Sequence, residues 1–147
     1  MSSTLYTTVH ALGVPHKLIH RTVASVLRQV KVADAQVSVH YIGDKKMRSL
    51  NRRYRGANRT TDVLAFASLD GVQIRKPGVA ADWGDIFICV PQIHRQAKRF
   101  GVSYVEESCR MLIHGVLHLA GFDHRKKAAA RQMFSLQETI LAGILAR

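Results

Sequence analysis

The spacing of apolar residues changes period along this chain, and the changes divide it into elements. Leu5 to Val9 reads as a short opening strand. From Pro15 to Val30 the set Leu18, Ile19, Val23, Val26, Leu27 and Val30 recurs at helical spacing, with Pro15 near the first turn. Val37, Val39 and Tyr41 alternate with Ser38 and His40, the pattern of a strand with one buried face. Asp44 then reads as the N-cap of a helix that turns Met47, Leu50 and Tyr54 inward and its cations outward.

The run Asp62 to Ala67 is short and apolar, suited to a central strand, and Asp85 to Val90 is the next strand. Between them, Ser68 to Gly84 contains Gly71, Pro77, Gly78 and Gly84 and is expected as a long loop of the functional or mobile kind. Pro91 opens a helix through about Phe100. Ser103-Tyr104-Val105-Glu106 is a capping box that starts a helix running to about Ala120. A last helix, from about Lys126 to Leu145, places Met133, Ile140, Leu141 and Ile144 on its inner stripe. Strands and helices mixed at first, then helices alone, predict an α+β fold with helices packed over a sheet.

Composition narrows the class. At 147 residues the chain is expected to form one domain, 1–147, large enough to bury a core. Hydrophobic content of 47% against 22% charged residues is that of a globular protein and not of a disordered one. No apolar run approaches the roughly 20 residues of a membrane span, and no secretory signal is legible, so a cytoplasmic location is expected. Cys89 and Cys109 offer no disulfide framework and suit a reducing compartment. Cys109 lies about 140° round the helix from His114, so packing is expected of it and not metal ligation.

Charge says more about partners. Lys and Arg total 22 against 10 acids, a net +12, which points to a polyanion, nucleic acid before membrane. The excess is clustered. Lys45, Lys46, Arg48, Arg52, Arg53, Arg55 and Arg59 follow one another with no acid between them, and Arg125-Lys126-Lys127, with Arg131 close behind, forms a second patch. Cations of this density are what a phosphodiester-binding cleft requires.

The second patch begins directly after the run His114-Gly115-Val116-Leu117-His118-Leu119-Ala120-Gly121-Phe122-Asp123-His124. Residues four apart share a helix face, so His114 and His118 can present two imidazoles to one point. Gly121 can end the helix through a left-handed turn that swings His124 toward that point. Three neutral imidazoles with one open position make the donor set of a catalytic zinc site, since structural sites are usually closed by four protein ligands. The spacing is that of metzincin proteases, HExxHxxGxxH, except that Gly115 replaces the general-base Glu. Asp123 stands where it can orient a ligand or serve as a turn residue. The other five histidines, His10, His16, His20, His40 and His94, have no ligand spacing and read as surface or half-buried residues.

This histidine block resembles the signature of the YbeY family, the bacterial and organellar endoribonucleases of ribosomal RNA maturation. Leu50-Asn51-Arg52-Arg53-Tyr54-Arg55-Gly56, then Thr61-Asp62-Val63-Leu64-Ala65-Phe66, resembles the family's asparagine–aromatic–arginine segment and the strand after it. Gly84-Asp85-Ile86-Phe87-Ile88-Cys89 resembles its glycine–aspartate strand. The resemblance implies a small mixed β-sheet packed with helices, and one zinc ion held by His114, His118 and His124. It implies single-strand endoribonuclease activity in small-subunit ribosomal RNA maturation and ribosome quality control, with Arg55 contacting RNA phosphate near the scissile bond. His114 and Arg55 are accordingly the expected catalytic residues. Thr60, Ala65 and Ala67 depart from the family's usual Pro, Ser and Pro, and the region after His124 is basic where the family is often acidic. Two rival expectations are another zinc metallohydrolase, such as a peptidase, and a basic ribosome-binding factor without turnover.

Overall fold

The computed structural model describes residues 2–10, 12–32, 34–68, 81–122 and 125–146. Within them the order is β1 (Ser3–Thr7), α1 (His16–Gln29), β2 (Ala35–Ile42), α2 (Asp44–Arg55), β3 (Val63–Ala67), β4 (Ala81–Cys89), α3 (Val90–Phe100), α4 (Tyr104–Leu119) and α5 (Lys127–Leu145). The strands form one sheet in the order β1-β2-β4-β3, with β1, β2 and β4 parallel and β3 antiparallel to β4. The fold is α+β with a small mixed sheet, as expected.

Alternation along β2 and β4 divides the interior. Val37, Val39 and Tyr41, with Ile86 and Ile88, face a core shared with α1, α4 and α5. The intervening Ile42 and Cys89 point the other way, into a smaller cluster with Met47 of α2 and Leu64 of β3. Met133, Ile140, Leu141 and Ile144 are all buried, matching the expected stripe of α5. Cys109 is also buried in the main core and both thiols are free, so neither cysteine serves as a bridge.

Five expectations need correction. The first strand is Ser3–Thr7, two residues earlier than the apolar pattern suggests. β3 lies at the sheet edge and not at its centre. Its apolar character arises because both faces are covered: Val63 and Ala65 pack on the main core, and Leu64 and Phe66 on the smaller cluster. The N-cap of α2 is Gly43, and Asp44 sits in the first turn, where Arg95 of α3 grips both carboxylate oxygens at 3.1 and 2.7 Å. That bond holds the Asp44 carboxyl below its ordinary pKa. Tyr54 is 59% exposed and not inward, because it closes over Phe66 at the rim of the sheet. Of the long loop expected over 68–84, residues 81–84 belong to β4, and 69–80 lie outside the described residues.

A candidate metal centre between two helices

Helix α4 is set up by its ends. Ser103 accepts the Glu106 N–H at 3.0 Å, the cap that the sequence predicts. At the other end Gly121 adopts φ 98°, its N–H reaches the His118 carbonyl at 3.0 Å, and the Phe122 N–H reaches the Leu117 carbonyl at 3.1 Å. This pair of bonds is a Schellman motif, and the left-handed residue at its centre is one that glycine adopts without strain. The expected reversal after the second histidine is therefore present. Asp123 and His124 lie outside the described residues.

His114 and His118 stand one turn apart with ring centroids 5.3 Å from each other. Both line a cavity of about 450 Å³ that Arg55 at the end of α2 and Asp62, Leu64 and Phe66 at β3 also line. The tautomer of His114 follows from its neighbours. Gln137 of α5 donates its Nε2 to Glu138 at 3.2 Å, which turns its Oε1 to His114 Nδ1 at 2.8 Å. An amide oxygen only accepts, so Nδ1 carries a proton, and in the neutral ring the lone pair is then on Nε2. That is the form in which an imidazole binds a metal, with its second nitrogen fixed by an outer partner. The donor chemistry of His114 thus fits a metal ion. Among the described residues no group of three or more His, Cys, Asp or Glu gathers to hold one, and His124, the expected third ligand, is not among them.

Helix α4 is locked to α5 by Arg110. Its guanidinium bonds Glu107 at 2.6 Å, Glu138 at 3.0 Å and Glu106 at 3.1 Å. Burial works against the Arg110 charge, but the three carboxylates outweigh it and raise its pKa. The same network contains Glu138, the residue that orients Gln137. Ion pairing, amide orientation and imidazole tautomer therefore form one connected chain of contacts.

Gly115 has a packing role besides any catalytic meaning. A Cβ there would meet Ile86 Cγ2 at 2.9 Å and Val63 Cγ2 at 3.4 Å, so glycine lets α4 lie close on the sheet. Asp62 and Gln137 were not legible as site residues. Asp62 accepts the Val63 N–H at 2.7 Å and lines the cavity. Gln137 lies 23 residues from His114 and carries no motif of its own. All seven cations from Lys45 to Arg59 are exposed, as are Arg125, Lys126, Lys127 and Arg131. Thr60 bonds Asp44 at 3.3 Å, whereas Ala65 brings no polar atom of its side chain to the cavity it lines.

A family model described as Endoribonuclease YbeY matches residues 8–144. A protein named Endoribonuclease YbeY from Oenococcus oeni is 41% identical over 109 residues, 74% of this chain and 71% of that one. One of the same name from Persephonella marina is 33% identical over 133 residues, 90% of this chain and 85% of that one. The solution structure of TM1509 from Thermotoga maritima superposes with a TM-score of 0.65 at 26% identity, covering 97% of this chain and 90% of that one.

Proposed function

We infer the activity from one premise: the chain belongs to the endoribonuclease YbeY family. On that premise it is a metal-dependent endoribonuclease, and the ion is zinc, held by His114, His118 and His124. The substrate is single-stranded RNA, cut during maturation and quality control of the small ribosomal subunit in the cytoplasm. One domain spanning 1–147 carries the activity. No helix among the described residues is long and apolar enough to cross a membrane. The observation that carries the reading is the Gln137–His114 bond, which prepares Nε2 of the imidazole to bind a metal in a cavity that Arg55 also lines.

Neutral imidazoles would leave a bound divalent ion its full charge, and the ion would supply water activation and Lewis-acid polarisation of a phosphoryl oxygen. The chain's own groups do the rest. His114 and His118 would hold the ion from one helix, and Gln137 holds the His114 ring. Arg55 neutralises charge that develops on the phosphate oxygens and can do so with two parallel N–H bonds. Gly115 offers no carboxylate to take a proton from an attacking water, the role that Glu plays in metzincin proteases, which counts against a peptide substrate.

The reading is tested by offering the metal-loaded protein single-stranded RNA and casein, each with and without chelator. RNA cut only without chelator, and casein intact, is expected. Casein cut and RNA intact would favour the peptidase, and neither cut would favour a binding factor.

A further inference from the structure

The sheet face opposite α4 carries a row of rings. Tyr6 pairs with His40 across β1 and β2, and His40 pairs with Phe87 across β2 and β4. Their rings lie nearly parallel, with centroids 4.8 Å and 4.3 Å apart at 13° and 12°. Phe66 meets Phe87 edge-on at 5.8 Å, and Tyr54 of α2 leans on Phe66 at 5.0 Å. The row therefore runs from the edge strand β1 to Phe66, which also lines the cavity of His114 and His118.

Cross-strand ring pairs stabilise many sheets, but that role does not account for the ends of this row. Tyr6 is 51% exposed and Tyr54 59% exposed, so both keep much of their apolar surface in water. One face of Tyr6 lies on His40, and among the described residues no strand pairs beyond β1, so a planar ring can extend the pile there. Tyr54 stands among Arg52, Arg53 and Arg55, whose charges suit the phosphates between stacked bases. Asp85 is tied to His40 Nε2 at 2.8 Å, which steadies the middle ring.

We propose that the two exposed ends of this row, Tyr6 at the sheet edge and Tyr54 beside the metal cavity, are base-stacking platforms of one track for single-stranded RNA. The track rests on the endoribonuclease reading of that cavity. It selects single strands because the bases of a duplex are already stacked on one another and have no face to offer.

The test is binding of the metal-loaded full chain to a short 2′-O-methyl RNA strand carrying 2-aminopurine, read by anisotropy and by fluorescence quenching. Tyr6→Ala and Tyr54→Ala each weaken binding by about tenfold and reduce the quenching. Tyr6→Phe and Tyr54→Phe retain both, because a phenyl ring stacks as well as a phenol. Phe100→Ala removes a ring that is 60% exposed outside the row and leaves binding unchanged. Alanine variants that bind and quench like the wild type would overturn the proposal, as would an equal loss in Phe100→Ala. Cleavage of ordinary RNA by the same wild-type preparation separates the two readings. Stacking without cleavage keeps the track and removes the nuclease; cleavage with ring-independent binding does the reverse.

Discussion

Helix α4 and the last residue of α2 both line the cavity, and the two helices are built in opposite ways. Helix α4 buries eight residues, including Leu112, Ile113 and Leu117, and starts from a side-chain cap. Helix α2 buries only Met47 and Asn51, has no side-chain cap and ends in Arg52, Arg53 and Arg55. The first carries the imidazoles, whose use depends on position, because a metal site tolerates little displacement of its donors. The second carries guanidinium groups, whose charge acts over several ångströms and is most useful near water. Arg55 also sits at the negative end of its own helix, which it helps to stabilise. Rigid embedding thus goes with ligation, and exposure goes with charge.

The contrast is broken most directly through stability. Arg110→Met removes the cation from three carboxylates, among them Glu107 with a side chain only 3% exposed. A loss of about 3 kcal/mol is expected in chemical denaturation. Arg53→Met on α2 is expected to stay within about 0.5 kcal/mol of the wild type. Equal losses would show that the two helices are not differently anchored.

A smaller effect sharpens the role of α4. Gln137→Leu takes away the partner of His114 Nδ1 and is expected to lower metal affinity about 10- to 100-fold. Metal titration against a competing chelator measures it, and unchanged affinity would show that the amide does not set the imidazole. On the α2 side, Arg55→Ala is expected to reduce the slope of log affinity against log salt by about 0.7 for single-stranded RNA. An unchanged slope would place Arg55 away from phosphate.

The smallest effect concerns pH. Burial pushes the Tyr104 phenol up to about 12, and its hydroxyl donates to the Leu12 carbonyl. The folded form therefore prefers the neutral phenol. That preference contributes stability in full below the unfolded pKa of about 10 and loses it as pH rises toward 12. Denaturation measured from pH 9 to 12 is expected to show a decline that Tyr104→Phe flattens. A parallel decline in both proteins would contradict it.

What was legible in the sequence follows the same contrast. Helix α4, its Ser103 cap, the Gly121 reversal and the buried stripe of α5 were predicted because apolar period and capping chemistry are local. The exposure of Tyr54, the edge position of β3 and the pairing of Asp44 with Arg95 were not. Each depends on what another part of the chain brings alongside. Gln137 escaped for that reason too, since nothing within a turn of it marks it as the partner of His114. Gly115 was read as a missing base, and its contact with Ile86 gives it a second cause that no spacing reveals.

The central claim is that one histidine-held ion in this cavity cuts RNA. Zinc content and single-stranded RNA cleavage, measured on the same preparations of wild type, His114→Ala, His118→Ala and His124→Ala, test it most directly. The account predicts about one ion per chain in the wild type, and loss of ion and cleavage together in all three variants. Cleavage that persists in a variant without bound metal would contradict it.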